Sequence, residues 1–265
     1  MDKILVPVDF SDTSSNALRY AIELFGASAT EITVLHIYGT TSNAALLMKN
    51  IDGVLENDAK QKMNELLEQI EKEYPAAVLK PTIIKNSAVS AIVALGDSGN
   101  FNYVVMGTKG ASGLKEVFMG SVAGGVISKT SAPVLVVPTG HSFRKLDEIV
   151  LAVGERVFSD KEILAPLRRI LTLHQSKLKV LHIAEKEHPD IKNVLDDIQD
   201  LNPSIEYAFG TGNTHRDLND YLLNDYSGLL CLIREKKGFF ERLLDGSVTL
   251  KQTFDSPVPL LILHD

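Results

Sequence analysis

The chain has 265 residues, 45% of them hydrophobic and 23% charged, the balance of an ordinary soluble globular protein with room for one large domain or two modest ones. A net charge of −7 argues against non-specific binding to nucleic acid or to an anionic membrane, which needs a basic face. The single cysteine, Cys231, excludes an intrachain disulfide and a cysteine-rich metal site, and no apolar run reaches the roughly 18 residues of a membrane span.

Met1 is followed by the charged pair Asp2-Lys3 and then by strand-like sequence, with no apolar signal core. A cytoplasmic location is expected. Ile4 to Val8 is a short apolar run and reads as the first strand. Asp9, Ser11, Asp12 and Thr13 follow and carry helix-capping chemistry. From Asn16 to Phe25, Ala17, Leu18, Ala21, Ile22, Leu24 and Phe25 stand at helical spacing, and Gly26 can end that helix. Ile32 to Ile37 is the second strand. Asn43 to Tyr74 reads as a long helix with Leu55, Ala59, Met63, Leu66, Leu67 and Ile70 as its inner stripe, stopped by Pro75. Val78 to Ile84 is a third strand whose Pro81 suits a sheet edge. Ala88 to Leu95 is a third helix.

The next stretch, residues 103–138, carries the chemistry. The strand Tyr103-Val104-Val105-Met106 runs into Gly107 and Gly110; Gly120-Ser121 then precedes a helical segment from Val122 to Ser131, and Val134 to Val137 is a fifth strand. Glycines let a backbone approach a phosphate, and a helix start offers free N–H groups to an anion. Spacing alone leaves two readings: a phosphate cradle, or a glycine-rich surface loop before an ordinary helix. A Walker A loop is excluded, because G-K-[ST] is missing.

Strands alternating with helices imply parallel βαβ units in a small doubly wound sheet. In such sheets ligands sit beyond the carboxyl ends of strands where the strand order reverses. With the order 3-2-1-4-5, Asp9 and Gly107 flank that crevice. Asp9 is then either a ligand-binding carboxylate or only part of a helix cap.

From Glu148 the pattern restarts. Residues 148–154 echo Lys3 to Asp9, Lys179 to Ile183 echo Thr33 to Ile37, Gly228 to Ile233 echo the fourth strand, Gly246-Ser247-Val248 echo Gly120-Ser121-Val122, and residues 256–263 echo the fifth strand and its approach. Five echoes in one order indicate an internal duplication. The boundaries fall at about 1–140 and 147–265, with a polar linker near 139–146. The second copy has Ala152 and Gly154 where the first has Pro7 and Asp9, and Arg234-Glu235-Lys236-Lys237-Gly238 where the first has its glycines. Phe239, Phe240 and Arg242 would obstruct a phosphate, so this copy is expected to offer no such cradle. Lys236-Lys237 with Arg234 is either an anion site or a solvated charge cluster. The segment from Ala184 to Asn202 is shorter than its counterpart. Cys231, within Leu229–Ile233, reads as a buried structural thiol. His36 and His182 stand at equivalent strand positions and read as structural, since the duplicate keeps the histidine while losing the rest. The remaining histidines show no metal-ligand spacing.

The G-x2-G-x9-G-S pattern after a strand ending VVMG, closed by SAPVLVVP, together with KILVPVDFS at the start and VLHI in the second strand, resembles the ATP-binding subgroup of the universal stress protein family. The resemblance covers residues 1–140 well and the remainder weakly. It implies two tandem five-stranded parallel-sheet domains of α/β class, Rossmann-like and similar to adenine nucleotide alpha hydrolases, with strand order 3-2-1-4-5. It further implies that Asp9 hydrogen-bonds the ribose or adenine, that Pro7 shapes the turn beside it, and that Ile37 packs on the adenine. Met106, Gly107 and Gly110 would approach the ribose and phosphates, and Gly120, Ser121 and Val122 would hold the β- and γ-phosphates. The ligand would be ATP, or ADP or AMP, with Mg²⁺. Lys109 and Lys115 are either phosphate contacts or solvated side chains. No motif supplies a general base or an arginine finger, so at most slow ATP hydrolysis is expected. The expected role is a regulator or sensor with a protein partner. The alternatives are a genuine ATPase or nucleotide-dependent transferase, and a nucleotide-independent assembly or chaperone-like module. In this family the fifth strands pair antiparallel between domains, so a homodimer or an intrachain pseudo-dimer is expected.

Overall fold

The computed structural model describes residues 1–39, 51–108, 121–154, 160–184, 191, 195–209, 214–225, 228–234 and 256–265. The chain divides into two compact units, one built on Met1–Leu114 and Gly120–Ala132, the other on Pro133–Asp265.

The first unit carries strands β1 (Asp2–Val8), β2 (Thr30–Tyr38), β3 (Val78–Lys85) and β4 (Tyr103–Gly107) in the order β3-β2-β1-β4, all parallel. Ile4, Leu5, Val6, Val34, Leu35, Val104 and Val105 are fully buried, as strands covered on both faces require. β3 is the outer strand, and Pro81 pairs inward with Val34, so the edge expected from its proline is present.

Helix α1 (Asp12–Phe25) begins earlier than its apolar spacing indicates. Ser11 is its N-cap: the Oγ accepts the Ser14 N–H at 3.2 Å, satisfying one of the free donors of the first turn. Gly26, at φ 84°, ends it. Helix α2 (Ile51–Glu73) buries Ala59, Met63 and Ile70, with Leu66 and Leu67 nearly so; its expected start near Asn43 lies outside the described residues. Arg19 of α1 binds Glu73 of α2 bidentately, at 2.6 and 2.8 Å.

Helix α3 (Ala88–Gly96) packs on α4 (Ser121–Ile127), where Gly125 leaves room for Val89, whose Cγ2 stands 2.9 Å from where a Cβ would lie. Helix α4 stops short of the expected Ser131 for a local reason. The Asp97 carboxylate, just past α3, accepts the Thr130 hydroxyl at 2.6 Å, the Ser131 N–H at 2.8 Å and the Ser131 hydroxyl at 3.0 Å. These bonds fix residues 130 and 131 outside the helix and compete with its continuation.

The second unit carries β5 (Val134–Val137), β6 (Glu148–Val153), β7 (Lys177–Ala184), β8 (Ser204–Phe209), β9 (Leu229–Arg234) and β10 (Leu260–His264), in the order β5-β10-β9-β6-β7-β8. Within it, β8-β7-β6-β9-β10 is the expected 3-2-1-4-5 arrangement, wholly parallel. The two fifth strands pair antiparallel, Leu260 with Val136, Leu261 with Leu135 and Ile262 with Val134. Helix α5 (Ala165–His174) and α6 (Thr214–Asp225) flank this sheet. Lys179 of β7 bridges Glu148 at 3.0 Å and Glu206 at 3.2 Å, and the Tyr221 hydroxyl donates to Glu206 at 2.9 Å. Desolvation, then the bond to Glu206, pushes the Tyr221 hydroxyl up to about 12. The polar stretch after β5 is anchored in this unit: Leu146 is buried, its carbonyl accepts the Ser176 hydroxyl, and the Phe143 ring lies 5.6 Å from His174. Cys231 is fully buried, and desolvation drives its thiol far above the ordinary range, which makes it unreactive.

Candidate functional site

The candidate site lies at the carboxyl ends of β1 and β4. In a parallel sheet, the N–H and C=O groups of alternate residues point to alternate neighbours. The Lys3 carbonyl accepts the Asn102 N–H at 2.8 Å on the β4 side, and the Val8 carbonyl is met by the His36 ring at 2.8 Å on the β2 side. Pro7 shares the parity of Lys3 and so faces β4. It has no N–H to give there. The β1–β4 ladder runs only over Ile4–Tyr103 and Leu5–Val104, and it stops before Pro7. Asp9 follows β1, Met106 and Gly107 end β4, and the first turn of α1 stands between them.

Asp9 is fixed by the cap of α1. Its Oδ1 accepts the Ser11 N–H at 3.1 Å and the Ser11 hydroxyl at 2.5 Å, while its own N–H donates to Ser14 Oγ at 3.3 Å. These bonds brace Ser11, the N-cap of α1, and fix Asp9 just past the end of β1.

Gly107 has a packing reason that its motif conceals. A Cβ there would lie 2.6 Å from Thr13 Cγ2 and 3.0 Å from the Thr13 carbonyl oxygen. The glycine lets α1 seat its first turn against the end of β4. Met106 is 5% exposed. Ile37 is half-buried on β2 and pairs with Ile84. Ser121 opens α4 and Val122, half-buried, follows it. Gly110, Gly120, Lys109 and Lys115 lie outside the described residues.

One residue that spacing arguments overlooked belongs here. Phe10 takes a left-handed conformation, φ 64°, and its ring stacks on His36 with centroids 4.3 Å apart. A phenylalanine in that region is strained, and the stacking and the cap on either side hold it there. Its signal in the sequence is slight: an aromatic residue wedged between Asp9 and Ser11.

His36 and His182 are structural, as their duplication suggested. His182 Nδ1 lies 3.0 Å from the Val153 carbonyl, the counterpart of the His36–Val8 contact, and in both pairs the histidine stands opposite that residue in the ladder. A carbonyl only accepts, so each Nδ1 carries the proton.

The second copy differs at the decisive point. Ala152 replaces Pro7 and supplies an N–H. The β6–β9 ladder accordingly continues through Leu151–Cys231 and Ala152–Leu232, two pairs further than in the first copy. The ladder that stops before Pro7 in the first copy runs through Ala152 in the second. Residues 235–255, with Lys236, Lys237, Phe239, Phe240, Arg242 and Gly246-Ser247, lie outside the described residues; Arg234 ends β9 opposite His264.

The fold recurs in known proteins. The model of the Universal stress protein family matches residues 1–138. Universal stress protein MJ0577 of Methanocaldococcus jannaschii is 31% identical over 157 residues, 53% of this chain and 96% of its own. Universal stress protein YxiE of Bacillus subtilis is 29% identical over 148 residues, 51% of this chain and 98% of its own. The crystal structure of a universal stress protein from Archaeoglobus fulgidus, at 21% identity, covers 99% of this chain and 96% of its own with a TM-score of 0.70, which shows a shared fold across both halves. The chain belongs to the universal stress protein family.

Proposed function

We propose that the N-terminal half binds one adenine nucleotide, ATP with Mg²⁺, and that the protein acts as a nucleotide-dependent regulator in a stress response rather than as an efficient enzyme. The observation that carries this reading is the difference between the two copies: the β1–β4 ladder stops before Pro7, which has no N–H to give, while the β6–β9 ladder continues through Ala152. An opening at a strand-order reversal is where doubly wound sheets take ligands. Asp9, held by the α1 cap, is the hydrogen-bonding group for the ribose or adenine. Ile37 gives the base an apolar contact. Gly110, Gly120 and Ser121 supply backbone and hydroxyl donors to the phosphates, and the cation rests chiefly on phosphate oxygens.

Calorimetry with MgATP tests the reading. Asp9→Ala and Gly110→Trp each abolish binding while circular dichroism shows an intact fold. Unchanged affinity in both variants would sink the assignment.

A further inference from the structure

The two copies also differ at their outer strands. In the first, β3 is defended against edge-to-edge pairing by Pro81 in mid-strand and by Lys80 and Lys85, devices that keep an exposed edge from recruiting another strand. Its equivalent in the second copy, β8, reads Ser-Ile-Glu-Tyr-Ala-Phe, with no proline and no lysine. Among the described residues, β8 pairs only with β7. The crossover preceding it, residues 185–203, is much shorter than residues 39–77, which carry α2 in the first copy. Ile205 and Tyr207 are left 44% and 45% exposed on one face of β8. The charge between them, Glu206, is bound by Lys179 and the Tyr221 hydroxyl.

We propose that β8 is a homodimerisation edge, pairing antiparallel with β8 of a second copy about a two-fold axis at Glu206. The occupant follows from the strand's self-complementarity. Residues directly opposite in an antiparallel pair share a face. Centring the axis on Glu206 therefore places Ile205 opposite Tyr207 of the second copy, and Tyr207 opposite its Ile205. Two aromatic–β-branched cross-strand pairs result, a combination that stabilises sheets. The glutamates that meet at the axis each stay bound to Lys179 and to the Tyr221 hydroxyl of their own copy. The interface is isologous and closes at two chains. The fifth strands, which the family resemblance expected to pair antiparallel, are already paired with each other, so this edge serves a different association.

Sedimentation velocity of the full chain across a concentration series tests the proposal. The expected result is reversible dimerisation that Ile205→Lys and Tyr207→Lys each abolish, with unchanged thermal melting. A monomer at every concentration would overturn it, as would a dimer that both variants leave intact. A second measurement fixes the register. Opposed residues of an antiparallel pair bring their Cα atoms to roughly 4.5–5.5 Å, within reach of a disulfide. Glu206→Cys should therefore oxidise to a covalent dimer, with Cys231 silent because it is fully buried. A dimer that resists this cross-link would contradict the pairing.

Discussion

Replacing Gly107 with valine destabilises the N-terminal unit by roughly 1–3 kcal/mol, the usual cost of forcing atoms into a packed site, because its Cβ would overlap Thr13. Urea unfolding measures this in the absence of nucleotide, and a ΔΔG near zero would remove the packing explanation. The same residue shows what a sequence reveals. The glycine was visible as part of a motif, but its contact lies with a residue 94 positions earlier, and only the fold brings them together. Asp97 was not singled out at all. Its partners Thr130 and Ser131 are more than 30 residues away, and nothing in a lone aspartate after a short helix announces them. Burial raises the Asp97 carboxyl, but the hydrogen bonds from Thr130 and Ser131 outweigh it and leave it below its ordinary value. The stability it contributes is therefore present above the unfolded value of about 3.9 and is lost as pH falls through the lower folded value. Asp97→Asn flattens the acid limb of the stability curve below about pH 4; an unchanged limb would show that the depressed carboxyl has no energetic weight.

At the scale of elements, strand positions were legible because buried parallel strands are short apolar runs and each is bounded by turn or cap residues, while their order came from the family resemblance. Helix ends were less so, since α1 and α4 are delimited by side-chain hydrogen bonds at Ser11 and Asp97 that periodicity does not register. The consequence of Pro7 was half legible. The proline was expected beside the site, but its effect on the β1–β4 ladder needs the parity of the backbone groups, which depends on the neighbouring strand. An exchange of residues tests that effect. Pro7→Ala restores an N–H toward β4, lengthens the ladder and weakens MgATP binding at least tenfold, about 1.4 kcal/mol, while the fold is kept. Ala152→Pro removes a donor from the β6–β9 ladder and costs the second unit roughly 1–3 kcal/mol. Hydrogen exchange at residues 104–106 and 230–232 reports both changes, protection rising in the first variant and falling in the second. Unaltered protection in both would mean that the proline does not govern the opening.

Across the whole molecule, the duplication was read from five echoes in order, and the second unit's 3-2-1-4-5 sheet agrees with it. The undefended edge at β8 was not legible, because exposure at Ile205 and Tyr207 depends on what the preceding crossover covers, not on the strand's own pattern. The two copies are asymmetric: the β1–β4 ladder stops at Leu5–Val104 and the β6–β9 ladder runs on through Ala152–Leu232. The most direct test is mass spectrometry of the protein denatured straight after purification without added nucleotide, quantified per chain. The account predicts about one adenine nucleotide per chain, bound by the first copy, lost in Asp9→Ala and retained in Ala152→Pro. Two nucleotides per chain would contradict the asymmetry; none, with no calorimetric binding of added MgATP, would contradict the site itself.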